Sequence, residues 1–299
     1  MPIVVLRLVA LLSLCLALCL AAPALARSPG ASSLRVMTFN VRYPNPDDGA
    51  NVWANRRALF VQTVAAAEPD IIGTQELFAT QGADVVRALP AYAWFGRDRR
   101  GGHADEHMGI FYRRDRLRLI RHGDYWLSDS PAVVGSMAWG ATLPRMVNWG
   151  IFETRGARRQ RFVLFDTHFA HRDEDDGARE RSAALVLANL ASIAGALPIV
   201  LTGDMNATPD SAAYRLLAGR LTDAWVASPV RVGPDRTFHD FTGTADRRID
   251  YIFVRGFTPL RVEVRTDHSG RLYPSDHFPV VAELRFDAPK RGASVAVSR

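Results

Sequence analysis

The sequence repeatedly places an acid, an amide or a histidine directly after a short apolar run. Glu76 follows the run DIIGTQ, and Asp204 and Asn206 follow the run PIVLTG. Asn40 closes the run LRVMTFN, and His168 closes a run farther along the chain. Side chains of these types bind divalent cations and move protons, so their recurrence at strand ends predicts a polar site where several strands end.

The acids that would meet at such a site are Glu76, Asp204, Asp250 and Asp276. Carboxylates that lie close together repel one another unless a positive charge neutralises them. A hard cation with oxygen ligands relieves that repulsion, which favours Mg²⁺, with Mn²⁺ as the alternative. Glu76 is the best direct ligand, and Asn40 is either a neutral oxygen ligand or a partner that orients the ligands.

Asp250 lies within the apolar run IDYIF. An acid buried there without a partner would be costly, so the sequence predicts a paired carboxylate. The partner is either one of the preceding arginines, Arg247 and Arg248, or a histidine. His277 belongs to the sequence Ser-Asp-His that introduces the last apolar run, which read alone is a polar turn.

The elements that position these residues are short apolar runs mixed with a few helical stretches. A helix is predicted over Trp53–Ala67, and the clearest helix is Gly177–Ala196, where Val186 and Leu190 lie on one apolar stripe. Several strand-like runs follow one another without a helix between them, which disfavours a purely parallel doubly wound sheet. The pattern favours an α/β (α+β) fold, a four-layer α-β-β-α sandwich of two mixed β-sheets with outer helices.

The start of the chain predicts export. Residues 1–26 carry an early Arg7, a long apolar run and the small-residue site Ala24-Leu25-Ala26, which is the pattern of a secretory signal peptide. Cleavage removes both cysteines and with them any disulfide, thiol nucleophile or cysteine metal ligand. A membrane anchor and a lipoprotein are the disfavoured alternatives. We expect a periplasmic or secreted protein with no stable membrane association after cleavage.

For the chain after the signal peptide, the sequence predicts one domain over residues 30–288, which acts as a monomer, and a disordered C-terminal tail over residues 289–299. The formal net charge of the whole chain is +6. Arginine-rich runs such as Arg97–Arg100 indicate either attraction to polyanions or a solvated surface. We favour the solvated surface, because no aromatic residues alternate with the arginines as a nucleic-acid stacking platform would need.

Taken together, the motifs resemble those of the endonuclease/exonuclease/phosphatase superfamily and stand in the order that the family has. They are Met37–Asn40, Thr74–Glu76, Thr167–Phe169, Thr202–Pro209, Arg248–Phe253 and Tyr273–Val280. The family's fold is the four-layer sandwich that the pattern of elements also favours. Further segments are similar to a secreted bacterial branch, broadly related to the deadenylase-like members.

The resemblance implies a role for each matching residue. The implied metal-binding residues are Asn40, Glu76 and Asp276, the implied catalytic residues are His168, Asp204, Asn206, Asp250 and His277, and the implied phosphate-binding residues are Arg145, Asn206 and His168. His277 pairs with Asp250 in this reading and acts as general base or as charge stabiliser. The sequence leaves open whether one metal ion or two bind.

The implied activity is metal-dependent hydrolysis of phosphate esters, as a phosphodiesterase or phosphatase, by in-line attack of activated water. The expected substrate is a phosphorylated small molecule or a glycan-linked phosphate. One alternative is a secreted nuclease acting on DNA or RNA, and another is a non-catalytic binding protein on the same scaffold. Arg42 stands where nucleases acting on abasic DNA carry an acid, which counts against DNA repair. The intact set of catalytic residues counts against the binding protein.

Overall fold

The computed structural model of this chain describes residues 33–288. The predicted signal peptide, residues 1–26, and the predicted tail, residues 289–299, lie outside the described residues. All the described residues fall inside the predicted domain, residues 30–288, and belong to one compact unit. None of the helices formed by these residues is long and apolar enough to cross a membrane.

Strands outnumber helices in this part of the chain. The strands are β1 (Ser33–Asn40), β2 (Ile71–Gln75), β3 (Tyr92–Phe95), β4 (Ile110–Arg113), β5 (Leu117–Trp126), β6 (Met146–Thr154), β7 (Arg161–His168), β8 (Ile199–Asp204), β9 (Thr222–Asp223), β10 (Arg231–Val232), β11 (Asp250–Arg255), β12 (Phe257–Val264) and β13 (Val280–Phe286). The helices are α1 (Trp53–Ala67), α2 (Ala79–Ala88), α3 (Asp176–Ala194), α4 (Ala212–Ala218) and α5 (Ala224–Ala227).

The strands form two mixed sheets. The first sheet has seven strands in the order β10-β12-β13-β1-β2-β4-β3, and the second has six in the order β5-β6-β7-β8-β11-β9. In the first sheet β1 is parallel to β2 and antiparallel to β13. In the second, β7 is parallel to β8, and β8 is antiparallel to β11. Both mixed sheets contain strands that follow one another without a helix, as the sequence predicts.

Apolar side chains hold the layers together. Val36, Leu164 and Val200 belong to the cluster that fills the space between the sheets. On the outer face of the first sheet, Phe39 of β1 stacks on Phe60 of α1 with ring centroids 4.6 Å apart. The second sheet packs its outer face against α3 and α4. This arrangement confirms the predicted four-layer sandwich. Each fully buried large apolar side chain in it contributes about 1.5–3 kcal/mol to the free energy of unfolding.

The two-residue alternation of a strand decides which side chains face the opposite sheet. In β1, Val36 packs between the sheets, whereas Met37 and Phe39 pack on the helix side. Asn40 continues the inner series at the end of the strand. His168 continues the inner series of β7 in the same way, so both side chains cap the inter-sheet core at one end.

The same alternation places two acids beside them. Asp204 continues the inner series of Val200 at the end of β8, and Asp250 begins the inner series of Ile252 in the antiparallel β11. In the strand register Asp204 lies opposite both His168 and Asp250. Sheet geometry therefore brings these residues together at one rim of the sandwich.

A buried polar layer separates this rim from the apolar core. The Asp166 Oδ1 atom accepts hydrogen bonds from Gln75 Nε2 and Thr202 Oγ1, both at 2.7 Å. Gly73 makes room for the layer, because a Cβ atom there would lie 2.0 Å from Thr202 Oγ1. Burial raises the pKa of Asp166 well above its usual value, against the opposing effect of its hydrogen bonds. The layer thus joins β2, β7 and β8 beneath the rim through the Asp166 carboxyl group.

Candidate active site

A cavity of about 560 Å³ opens at this rim. We call it the site cavity, and its walls include Glu76, Arg145, His168, Asp204, Asp276 and His277. These residues come from both sheets and from the segment before β13. The structure therefore brings together every residue for which the sequence predicts a direct role, with Asn40 and Asp250 just behind the wall.

Asp204 lies at the centre of the cluster. Its Oδ2 atom accepts a hydrogen bond from Asn40 Nδ2 at 3.0 Å and lies 3.5 Å from His168 Nε2. Its Oδ1 atom accepts a hydrogen bond from the backbone N–H of Asn206 at 2.9 Å. Burial, with repulsion from Asp250 added, raises the pKa of Asp204 to about 7. A carboxylate with that pKa exchanges a proton readily near neutral pH.

His277 links two of the acids. Its Nδ1 atom shares a hydrogen bond of 2.9 Å with Asp250 Oδ2, and its Nε2 atom lies 3.7 Å from Asp204 Oδ2. The partner of Asp250 is therefore the histidine, and Arg248 instead pairs with Asp223 at 2.9 Å. Burial opposes a charge on the ring, but Asp250 and the other acids outweigh it and raise the pKa of His277 to about 10.

Glu76 reaches the site cavity through an unusual backbone conformation. Strict alternation after β2 would turn its side chain toward the helix side, but its φ of 59° lies in the left-handed region. The carboxylate then accepts hydrogen bonds from Asn40 Nδ2 at 3.0 Å and from the backbone N–H of Tyr43 at 3.1 Å. Such a conformation costs about 1–3 kcal/mol in a non-glycine residue and is concentrated at functional sites.

Asn40 acts as a bridge between the acids. Its amide nitrogen donates to both Glu76 and Asp204, while its Oδ1 atom accepts the backbone N–H of Arg42 at 3.0 Å. Of the two roles that the sequence leaves open for Asn40, this arrangement favours the partner that orients the ligands.

Asp276 also lines the site cavity and lies in the segment before β13. Ser275 Oγ donates to the Asn40 backbone oxygen at 2.7 Å, which ties the segment to β1, and it lies 3.1 Å from Asp276 Oδ1. Arg42 Nη1 lies 3.6 Å from Asp276 Oδ2. Burial raises the pKa of Asp276, and the negative charge of Glu76 raises it further.

Arg145 is the cationic wall of the site cavity. Its side chain is buried, and its Nη2 atom lies 3.0 Å from His171 Nδ1. Within residues 33–288 its Nε and Nη1 atoms have no hydrogen-bond partner. Burial lowers the pKa of Arg145, which the surrounding acids partly restore. A buried guanidinium with unused donors at a cavity wall is suited to bind an anion.

His168 completes this wall as a neutral ring. Burial, together with the positive charge of Arg145, lowers the pKa of His168 well below its usual value. Its Nδ1 atom is buried and has no hydrogen-bond partner among the described residues.

Arg99 and Glu106 also line the site cavity, and the sequence did not single them out for it. Arg99 belongs to the run that we assigned to the solvated surface, which is wrong for this residue, because its exposed fraction is only 8%. Its Nη1 atom donates to Glu106 Oε2 at 2.8 Å. Burial, with repulsion from Glu76 added, raises the pKa of Glu106 to about 7. Neither residue follows an apolar run, so the strand-end pattern could not find them.

The donor set suits a hard divalent cation. Three buried ligand atoms, from Asp204, Asp250 and His277, lie within 4.8 Å of one another. The hydrogen bond between Asp250 and His277 already uses two of these residues. Glu76 and Asp276 provide further carboxylates at the same wall, and the negative charge of Glu76 adds to the effect of burial in raising the pKa of Asp276. An ion with oxygen ligands relieves repulsion between carboxylates.

Comparison with known proteins identifies the family. The model of the endonuclease/exonuclease/phosphatase family matches residues 37–277. The chain belongs to the endonuclease/exonuclease/phosphatase family. This confirms the resemblance of the motifs, and it makes the chain a protein of the phosphodiesterase and phosphatase type.

Two solved structures of this family share both fold and sequence with the chain. An endonuclease/exonuclease/phosphatase family protein from Bacteroides thetaiotaomicron is 37% identical, with a TM-score of 0.81 over 86% of this chain and 99% of that one. The mannosyl-6-phosphatase of the same organism is 36% identical, with a TM-score of 0.79 over 85% of this chain and 100% of that one.

A more distant relative is the protein angel of Drosophila melanogaster. It is 24% identical over 176 residues, which is 57% of this chain. The match spans about half of the Drosophila protein, 48% of its length.

Proposed function

We propose that this protein is a Mg²⁺-dependent phosphatase that hydrolyses the phosphate ester of a sugar or sugar-linked substrate. The observation that carries the proposal is that one cavity contains Arg145, a buried cation with unused donors, together with Asp204 and His277. Asp250 lies behind the wall and is hydrogen-bonded to His277. Such a cavity offers positive charge to a phosphoryl group beside a base of suitable pKa. A site that only bound phosphate would need the cation but not the base.

Asp204 acts as the general base in this proposal. The pKa of Asp204 is raised to about 7, whereas that of His277 is raised to about 10. At neutral pH the carboxylate can therefore accept a proton from water, and the imidazolium cannot. Asn206 fixes the base, because its backbone N–H holds Asp204 Oδ1. The sequence left open whether Asp204 or His277 is the general base.

His277 and Arg145 supply positive charge to the phosphoryl oxygens. Both are hydrogen-bond donors in a largely dry wall, where a charge stabilises the transition state more than it would in water. As water attacks phosphorus, its proton passes to Asp204 and the bond to the leaving oxygen breaks on the opposite side. Glu76 and Asp276 would hold a divalent cation, which would supply Lewis-acid stabilisation of the negative charge that develops in the reaction.

Two findings support a sugar phosphate as the substrate. A cavity of about 560 Å³ suits a small molecule rather than a duplex. The relative with 36% identity over 85% of this chain is a mannosyl-6-phosphatase. The signal-like composition of residues 1–26 supports a periplasmic or secreted location for the activity.

A substrate panel tests the proposal. Purified protein is assayed with Mg²⁺ against mannose 6-phosphate, p-nitrophenyl phosphate, bis-p-nitrophenyl phosphate, plasmid DNA and RNA. We expect release of inorganic phosphate from both monoesters and little turnover of the nucleic acids. Digestion of DNA or RNA with no release of phosphate from the monoesters would replace the phosphatase by a nuclease.

The matched variants are Asp204→Asn and Asp246→Asn. Asp204 is the proposed base, and Asp246 is an exposed acid that is not part of the site cavity. The proposal expects the first variant to be inactive and the second to match the wild type. Retained turnover in Asp204→Asn would remove the assigned base.

A further inference from the structure

Glu106 occupies a position that the proposed reaction does not use. It lines the site cavity, yet within residues 33–288 the only side chain that its carboxylate pairs with is Arg99. The Oε2 atom accepts the bond from Arg99, which leaves Oε1 without a hydrogen bond among the described residues. A carboxylate and a guanidinium therefore stand side by side at the wall with unused hydrogen-bonding capacity.

The loop between β3 and β4 holds this pair in place. Asp98 organises the loop, because its carboxylate accepts the backbone N–H groups of Arg100, Gly102, Ala104 and Asp105 at 2.8–2.9 Å. Trp126 Nε1 donates to the backbone oxygen of Arg99 at 2.7 Å, and the backbone N–H of Arg99 donates to the backbone oxygen of Glu106 at 2.8 Å. A loop bonded in this way presents its side chains in a fixed geometry, as a binding site requires.

The charges in the cavity determine which part of the substrate Glu106 can contact. A phosphoryl group binds where Arg145 and His277 supply positive charge and where a cation held by Glu76 and Asp276 would offset the charge of those two carboxylates. A further carboxylate with no cation of its own would repel the phosphoryl group there. Glu106 is therefore suited to the uncharged part of the substrate, which is the leaving group. A sugar hydroxyl both donates and accepts hydrogen bonds, so two neighbouring hydroxyls match a carboxylate acceptor beside a guanidinium donor.

We propose that Glu106 and Arg99 form a subsite that binds neighbouring hydroxyl groups of the sugar leaving group and so sets substrate specificity. This inference rests on the proposed phosphatase function and adds the residues that recognise the sugar. Tyr43, Phe78 and Phe238 line the same cavity and offer apolar faces to the C–H groups of the ring.

The experiment compares Glu106→Gln with the wild type on two substrates. Mannose 6-phosphate carries neighbouring hydroxyl groups on its sugar ring, and p-nitrophenyl phosphate has no hydroxyl on its leaving group. The subsite predicts that kcat/KM for mannose 6-phosphate falls roughly 10-fold, mainly through KM, since the charge-assisted hydrogen bonds to the hydroxyls become neutral ones. It predicts a change of less than about threefold for p-nitrophenyl phosphate, whose leaving group makes no such bond.

Two further measurements separate the subsite from other roles. Free mannose should inhibit wild-type hydrolysis of p-nitrophenyl phosphate and should not inhibit that of Glu106→Gln. The Mg²⁺ concentration that gives half-maximal rate should be the same in both proteins. The matched control is Glu153→Gln, because Glu153 pairs with Arg118 and Arg161 at 2.8 and 2.9 Å away from the site cavity. Glu153→Gln should have the same kcat/KM as the wild type on both substrates.

Three results would overturn the subsite. An equal loss of kcat/KM on both substrates would make Glu106 a structural residue. A higher Mg²⁺ requirement in Glu106→Gln would make it a metal ligand. An unchanged kcat/KM on both substrates would mean that Glu106 does not bind the sugar. If the wild type releases no phosphate from any sugar phosphate, the proposed function fails and the subsite fails with it. If the wild type does so and Glu106→Gln has the same substrate preference, only the subsite fails.

Discussion

Asp250→Asn removes the charge that keeps His277 protonated while preserving the shape of the side chain. Raising the pKa of His277 from 6.5 to about 10 corresponds to about 5 kcal/mol in favour of the charged ring. Burial alone acts in the opposite direction. With the largest favourable charge gone, we expect the ring of the variant to be neutral near pH 7. The hydrogen bond of 2.9 Å between Asp250 and His277 also orients the ring, and the amide changes its partner atoms.

The expected consequence is a fall in kcat of about 10²- to 10⁴-fold, the range for losing an oriented catalytic histidine. The assay is the initial rate on p-nitrophenyl phosphate at saturating Mg²⁺ between pH 6 and pH 9, with a thermal melt to confirm folding. The ratio of variant to wild-type rate should decrease as pH rises, because the variant loses the imidazolium charge at a lower pH. A folded variant with a rate within about threefold of wild type and an unchanged pH profile would refute the reasoning.

Three more predictions concern the cavity wall and the interior. Arg145→Met should lower kcat/KM about 10²- to 10³-fold, since the main donor to the phosphoryl group is removed; steady-state kinetics check this, and an unchanged value would exclude Arg145 from phosphate binding. Burial raises the pKa of Asp166 above that of the unfolded chain, so wild-type stability should fall relative to Asp166→Asn as pH rises from about 4 toward the folded-state pKa, by about 1.4 kcal/mol per pH unit. Denaturant melts at pH 5 and pH 7.5 measure the difference, and a constant difference would mean a charged Asp166. Phe162→Ala should cost about 3–5 kcal/mol through the cavity left between the sheets; a cost below about 1 kcal/mol would contradict tight packing there.

The sequence could predict the layers and the rim because both depend on simple periodicity. Apolar residues two apart in β1, β7, β8 and β11 define an inner face, and Asn40, His168, Asp204 and Asp250 continue it. The position of those four residues therefore follows from alternation once the strands are known. The two edge strands β9 and β10 have two residues each, too few for any pattern to appear.

Other parts of the site depend on backbone geometry that no pattern encodes. The Glu76 side chain reaches the cavity because the backbone of Glu76 itself is in the left-handed region. Strand alternation alone would have turned this side chain toward the helix side. Arg99 and Glu106 are positioned by the backbone hydrogen bonds that Asp98 accepts, in a loop whose sequence indicates only polarity. The choice of His277 over an arginine as the partner of Asp250 required the three-dimensional contact.

Trp53 shows a case in which the less specific interpretation holds. The segments similar to the secreted bacterial branch include Trp53 and Trp139. From the sequence, these two tryptophans could line a substrate cleft or, as is more common, serve in packing. Trp53 packs edge-on against Phe60 with ring centroids 5.4 Å apart and donates to Asp84 at 3.0 Å, outside the site cavity. Trp139 likewise packs against the cluster between the second sheet and α3. Both tryptophans therefore stabilise the scaffold.

The central claim is that Glu76 holds a divalent cation on which phosphate release depends. The direct measurement is the rate of phosphate release from mannose 6-phosphate against Mg²⁺ concentration, for the wild type, Glu76→Gln and the control Glu153→Gln after treatment with EDTA. We predict no rate without Mg²⁺, recovery in the wild type and the control, and a requirement for at least roughly 10- to 100-fold more Mg²⁺ in Glu76→Gln. Full activity of the EDTA-treated wild type, or an identical Mg²⁺ response in Glu76→Gln, would contradict the claim.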